Sequence, residues 1–248
     1  MSALNEEDNI IPAIDHTLRA LDELGIEGEI IVVSDGSTDN TAGLVKQKME
    51  EEKRVDLLIH DAPQGIGASF WDSIDAAKGD IVALFPADNE NYPKETLRYF
   101  KLFYDVDMVI PFVFNKEVRP LCRNIISGLY RFIINSTFST SLNYTNGTVL
   151  YRKSILKCIR YRCRGFFFQT DLVIRLIKKG YLFAEVPCRL GTRKEGTSKA
   201  LSFSSLYRVM RDYLKLARDY YFTAKFKRDM DFPEDSLTYI RRKTDKQL

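Results

Sequence analysis

The residues best placed to do chemistry fall into two groups of opposite charge. Ser34-Asp35-Gly36-Ser37-Thr38-Asp39 follows the apolar run Glu29–Val33, and Pro86-Ala87-Asp88-Asn89-Glu90 follows Asp80–Phe85. Carboxylates gathered at strand ends are oxygen donors that suit Mg2+ or Mn2+ rather than zinc, and they also hydrogen-bond ribose hydroxyls. Either cluster alone could also serve as a cap and a turn; two at adjacent strand ends point to a pocket. The second group is cationic. Arg119, Arg123, Ser127 and Arg131 recur every four residues, which places them on one helical face, and the other positions up to Asn135 are mostly apolar. Planar guanidinium forks suit a phosphate, and such a helix can lie in a membrane interface. A core helix with solvated arginines is the plainer reading.

The net charge of +3 hides a division along the chain. Residues 1–115 carry 9 Lys+Arg against 23 Asp+Glu, and residues 116–228 carry 24 against 6. An acidic front and a basic back suggest carboxylates for a metal or ribose, and cations for an anionic partner. Nucleic acid fits poorly, because Phe166–Phe168 follow an apolar core pattern instead of alternating with Lys and Arg. No apolar run approaches the ~20 residues of a spanning helix, and no stretch has the make-up of a secretion signal. Cys122, Cys158, Cys163 and Cys188 form no CxxC pair, so structural thiols in a reducing, cytoplasmic setting are expected.

The elements that must position these groups alternate. Apolar Ile10, Ile14, Leu18 and Leu21 predict a helix over Glu6–Leu24. Strands follow at Glu29–Val33, Val55–Ile59, Asp80–Phe85 and Met108–Pro111. Helices are expected over Ser37–Glu52, Ala68–Lys78, Lys94–Phe103, Pro120–Asn135 and Asp171–Lys179. This rhythm predicts a doubly wound α/β sheet, whose ligands bind beyond the carboxyl ends of the strands. Gly65-Ile66-Gly67 opens a helix, either as a phosphate cradle or as a tight turn with close backbone packing. Ser205–Arg228 has Arg208, Arg211, Lys215 and Arg218 at helical spacing beside apolar and aromatic bulk, as an interfacial helix would, or a helix covering the sheet. Arg228–Leu248 is polar and is expected to be partly ordered at best.

Taken in order, several segments resemble the family-2 glycosyltransferases of GT-A fold. These are Ala3-Leu4-Asn5-Glu6-Glu7, Val32–Asp39, and Gly79-Asp80 before a strand ending at Ala87-Asp88. Asn143–Gly147, Phe168-Gln169-Thr170-Asp171, Glu185-Val186-Pro187 and Arg193–Lys199 narrow the similarity to polyprenyl-phosphate sugar transferases, the dolichol-phosphate mannose synthases among them. The resemblance implies a glycosyltransferase domain over residues 1–200, with a nucleotide-sugar half (1–115) and an acceptor half (116–200). An amphipathic region (201–228) and a polar tail (229–248) would follow. Two departures stand out. Only Met1 and Ser2 precede Ala3, which leaves either a truncated start or a sheet without its first, central strand. Ser34 and Pro86 replace the first acids of their motifs.

By the same resemblance, Ala3, Leu4, Asn5, Glu6, Asp35, Gly36, Ser37 and Ala87 would line a UDP- or GDP-sugar donor. Asp88 and Glu90 would hold Mg2+ or Mn2+. Arg119, Arg123, Ser127, Arg131, Gln169, Ser198 and Lys199 would receive a polyprenyl phosphate at a membrane surface, beside a membrane-embedded subunit or without one. Asp88, Asp171 and Arg193 would be the catalytic group. A lipid phosphate is already anionic and needs no base, so Asp171 is either a base for a saccharide hydroxyl or a group orienting Arg or Lys. The rival readings are transfer to a saccharide hydroxyl and a non-catalytic, partner-binding relative.

Overall fold

The computed structural model describes residues 1–89, 91–118, 120–190, 203–223 and 232–245. Strands and helices alternate as expected. They run β1 (Ser2–Ala3), α1 (Ile10–Leu24), β2 (Ile30–Asp35), α2 (Thr41–Glu51), β3 (Val55–His60), α3 (Ile66–Ala76), β4 (Ile81–Ala83) and α4 (Pro93–Leu97). They continue with β5 (Met108–Val113), α5 (Leu121–Phe138), β6 (Leu150–Arg152), α6 (Lys153–Lys157), α7 (Phe168–Lys179), β7 (Phe183–Cys188), α8 (Phe203–Phe222) and α9 (Leu237–Asp245). The helix expected over Lys94–Phe103 divides into α4 and a 3-10 turn, Phe100–Tyr104.

Two ladders form, β1-β2-β3 and β4-β6-β5-β7. A single parallel bridge from Ser2 to Pro86 couples them, so the strand order across the molecule is 3-2-1-4-6-5-7. The central strand is therefore present, though only as Ser2–Ala3, with Ser2 opposite Val33 and Ala3 opposite Ser34. Strand β6 is antiparallel to both neighbours, whereas β5 and β7 are parallel. It follows that β1, β2, β3, β4, β5 and β7 all end at one edge, and the loop entering β6 opens there too.

Alternation along the strands divides the core between the two sheet faces. Met108, Ile110 and Tyr151 pack with Phe70 and Trp71 of α3 and with much of α7. Val109 and Leu150 pack on the other face with Ile10, Ile14, Leu18 and Leu21 of α1. All six residues of β2 are buried, as a central parallel strand covered on both faces requires. No disulfide joins the four cysteines, all of which are described, and Cys122 is exposed.

Part of the tail packs on the body. Residues 237–245 form α9, anchored in the body by the fully buried Asp107. That carboxylate accepts the N–H groups of Leu237 (2.7 Å) and Thr238 (2.9 Å) and the Thr238 hydroxyl (2.5 Å). A buried carboxylate at a helix N-terminus satisfies donors that no helical carbonyl can reach.

Candidate active site

The acidic loops at the strand-end edge are tied to one another by side chains. Asn5, at φ 56°, donates its N–H to Ser37 Oγ (3.2 Å) and accepts the Thr38 N–H at Oδ1 (2.8 Å). Glu6 N–H bonds Thr41 Oγ1 (2.9 Å), and Glu7 N–H bonds Asp39 Oδ2 (3.1 Å). These cross-ties explain why α1 begins at Ile10 and not at Glu6: residues 6–9 are spent on the neighbouring loop, and the Glu6 carbonyl takes the first helical N–H groups. The Ser2–Pro86 bridge brings Ala3 beside Ala87, both buried. Leu4, Asn5, Glu6, Gly36, Ser37 and Asp88 thus lie on one edge, half-buried or exposed.

Asp35 is engaged differently. It is 3% exposed and accepts the N–H groups of Gln64 and Gly65, each at 2.8 Å. His60 Nδ1 lies 2.7 Å from its Oδ1, and His60 Nε2 lies 3.1 Å from Asp72. The Asp72-His60-Asp35 chain was not legible in the sequence; its one signal was a histidine ending a strand. Gly36 is required where it stands: φ is 70°, and a Cβ would come within 2.5 Å of the Pro63 backbone. Gly65 and Gly67 settle as close packing, because a Cβ on Gly67 would lie 2.5 Å from the Cys163 carbonyl.

No cluster of three or more metal-ligating side chains occurs among the described residues. Asp88 is half-buried in the turn after β4, where Asn89 takes φ 56° and bonds His16 Nδ1 at 2.8 Å. A single carboxylate with oxygen ligands from a substrate is a coordination habit of Mg2+, so the donor set fits a hard cation. Glu90, Arg119, Arg193, Ser198 and Lys199 lie outside the described residues.

On the cationic side, α5 has two faces. Among its eighteen residues only Ile134 and Phe138 are buried. Leu121 (75%), Ile125 (62%), Leu129 (59%) and Phe132 (68%) are exposed on the opposite side. Arg123, Ser127 and Arg131 share the turned-in side with Ile134, and Arg131 donates to the Asn143 carbonyl (3.3 Å). A polar cluster sits beneath the 143–147 loop. Thr170 meets Tyr130 Oη (2.8 Å), Thr145 Oγ1 (3.1 Å) and Asn146 Oδ1 (2.8 Å), and Gln169 donates to Tyr151 Oη (2.9 Å). Burial pushes the Tyr130 hydroxyl up to about 12, against hydrogen bonds that lower it. Gln169 is therefore 6% exposed and committed inside the fold, while Tyr130 and Tyr151 are partners that sequence reading missed.

Asp171 sits on the α8 side of α7. Both its oxygens lie within 3.0 Å of Arg175 Nε, and Arg175 reaches on to Asp219 of α8 at 2.9 Å. Burial raises the Asp171 carboxyl to about 6, partly offset by Arg175. The carboxylate is 2% exposed and is held by the Arg175 guanidinium inside the fold.

The fold and its acidic edge define a family. Residues 1–160 match Glycosyl transferase family 2, and the chain belongs to it. The chain is 27% identical over 212 residues to the undecaprenyl-phosphate 4-deoxy-4-formamido-L-arabinose transferase of Pectobacterium carotovorum subsp. carotovorum (strain PC1), covering 85% of this chain and 64% of that protein. It is 25% identical over 198 residues to the transferase of the same description from Edwardsiella ictaluri (strain 93-146), covering 79% and 60%. The chain thus spans under two thirds of the length of these relatives. In fold it is similar to glucosyl-3-phosphoglycerate synthase of Mycobacterium tuberculosis with UDP bound (TM-score 0.64, 20% identity, 88% and 77% covered). The complex of that synthase with Mn2+, UDP and glucosyl-3-phosphoglycerate is also similar (TM-score 0.60, 19% identity, 88% and 77% covered).

Proposed function

We propose that this protein transfers a sugar from a nucleoside-diphosphate donor to a polyprenyl phosphate at a membrane surface. The observation that carries the reading is the two-sidedness of α5, with Arg131 bonded to the Asn143 carbonyl, Arg123 on the same helical face, and an unburied apolar stripe behind them. An anionic headgroup on a long apolar chain is the substrate that matches both sides. The undecaprenyl-phosphate transferases to which the chain is similar act on such an acceptor by their descriptions.

In this reading Asn5, Glu6, Gly36 and Ser37 line the nucleoside, and Asp35 holds the loop after β3 in place beside it. Asp88 would hold Mg2+ or Mn2+ together with the donor diphosphate, and the cation would offset the charge of the leaving group. Solved structures of similar fold contain UDP with Mn2+ or with Mg2+, which favours a UDP sugar. Arg123 and Arg131 position the acceptor phosphate, one oxygen of which bonds the anomeric carbon as the bond to the diphosphate breaks. Arg193, Ser198 and Lys199, outside the described residues, would contribute charge and hydrogen bonds to the phosphates. Asp171 acts as a positioning residue through Arg175, since an anionic nucleophile has no proton to surrender.

Alpha8 carries a second exposed apolar stripe. Leu206, Met210 and Leu214 are exposed along one stripe, and Arg211 and Arg218 flank it. Among the described residues no helix is long and apolar enough to cross a membrane. The proposed association is peripheral, through α5 and α8 lying in the headgroup region of the cytoplasmic leaflet.

The test is release of nucleoside diphosphate from a panel of UDP- and GDP-sugars with Mg2+ or Mn2+, with and without a polyprenyl phosphate. Release that depends on the lipid and disappears in Asp88→Ala is expected. Release driven by a free saccharide would overturn the acceptor assignment, and absence of metal-dependent nucleotide binding would leave the partner-binding alternative.

A further inference from the structure

Asp35 stands where three segments meet at the strand-end edge. It is the last residue of β2, and Gly36 and Ser37, which lie on the edge, follow it directly. Its Oδ1 faces the His60 ring and accepts the Gln64 N–H, and its Oδ2 accepts the Gly65 N–H. The end of β3 and the residues that open α3 are thereby tied to the end of β2. The turn beyond Asp35 has no slack, since a Cβ on Gly36 would meet both the ring and the backbone nitrogen of Pro63. From there the tie runs on to Asn5, whose N–H bonds Ser37 Oγ.

His60 carries this junction one step further. Its ring is buried, with Nδ1 2.7 Å from Asp35 Oδ1 and Nε2 3.1 Å from Asp72 Oδ2. Asp72 lies in the second turn of α3 and its side chain is 40% exposed. An ionised carboxylate only accepts, so each contact needs a hydrogen on the ring nitrogen that makes it. A neutral imidazole carries one such hydrogen, so the doubly protonated ring alone makes both bonds. Asp35 already accepts two backbone N–H groups and has the geometry of an acceptor throughout. A buried cation between two carboxylates is paired on both sides, which is the condition for burying a charge.

We propose that His60 is a positioning residue of the nucleotide site, a doubly protonated clasp that holds Asp35, and through it Gly36 and Ser37, to α3 by way of Asp72. The inference rests on reading the strand-end edge as the seat of a nucleoside diphosphate. His60 touches no ligand in this role. Without Asp72 the ring has one acceptor and no use for a second hydrogen. The bond to Asp35 is then made by a neutral ring and loses half of its charge assistance. Binding must then order a turn that the native chain holds ready, and affinity falls.

The experiment is titration calorimetry with UDP and Mn2+ on the native chain, Asp72→Ala, His60→Gln and the double variant. Asp72→Ala is expected to weaken UDP binding by about 10-fold, and Asp72→Glu, which returns a carboxylate, to recover most of that loss. His60→Gln should weaken binding at least as much as Asp72→Ala. The double variant should be no weaker than His60→Gln alone, because Asp72 acts through the ring. Nitrogen NMR near neutral pH should show a hydrogen on both Nδ1 and Nε2 in the native chain and on one of them in Asp72→Ala. A residue that merely fills space would leave that signature unchanged. Native affinity in Asp72→Ala, additive losses in the double variant, or a singly protonated native ring would each overturn the proposal. A native chain that binds neither UDP nor GDP would remove the nucleotide reading and the proposal with it. Ring protonation is read without a ligand, so the two failures are told apart.

Discussion

The edge built from β1, β2 and β4 and the flank built from α5 and α8 solve opposite problems. At the edge, polar groups are satisfied inside the protein: Asn5, Glu6 and Glu7 bond the loop after β2, and Asp35 holds the loop after β3. At the flank, apolar side chains remain in the open: eighteen residues of α5 bury two, and Phe132 is 68% exposed. A preorganised polar edge suits a small, charged ligand that must be held in one orientation. An open apolar stripe of this extent suits a docking surface, and the neighbouring arginines match a lipid interface. The two regions should therefore be separable by mutation.

Asp88→Ala should be the largest effect, lowering nucleotide release by about 100-fold or more while leaving sedimentation with anionic vesicles unchanged. If vesicle binding fell in parallel, the edge and the flank would be one site and the comparison would break. The converse change is Ile125→Glu with Leu129→Glu. Each removes an apolar side chain contributing about 1.5–3 kcal/mol on burial, so vesicle affinity should drop at least about 10-fold. Tm should hold, since both positions are exposed. A lower Tm would mean that the stripe is covered by protein.

How legible was this? The acidic edge could be read because each loop follows a short apolar run, and β2 ends at Asp35-Gly36, where only glycine tolerates the turn. The arginine face of α5 could be read because its spacing is local. What escaped was long-range. His60 finds Asp35 and Asp72, and Thr170 meets Tyr130 across forty residues; no periodicity encodes such meetings. Alpha9 escaped for the same reason: its polar sequence predicts little order, yet Asp107, far earlier in the chain, holds its first turn.

On the flank, Asp171 helps hold α8 to α7 through Arg175, and pH tests that contact. Its carboxyl is raised from 3.8 to about 6, chiefly by burial, so folding favours the protonated form. The stability this contributes is complete below pH 3.8 and is lost as pH rises through about 6. The difference in unfolding free energy between the native chain and Asp171→Asn should therefore shrink from pH 4 to pH 7. A difference constant over that range would mean that Arg175 holds the carboxylate ionised throughout, and that α8 is docked by a permanent ion pair.

The smallest effect is expected at Thr238→Val, which keeps the shape of the side chain and removes its hydroxyl. That hydroxyl donates to buried Asp107 and accepts the Leu182 N–H at 2.9 Å. Its loss leaves a buried N–H without a partner and weakens one carboxylate contact, at a cost of about 1–3 kcal/mol. For a chain of this length that is a fall in Tm of several degrees at most. Amide exchange should quicken in α9 and at Leu182, with the strand-end edge unaffected. Faster exchange at Asn5 or Thr38 would mean that α9 supports the edge through β5, and that the polar region is less self-contained than its hydrogen bonds suggest.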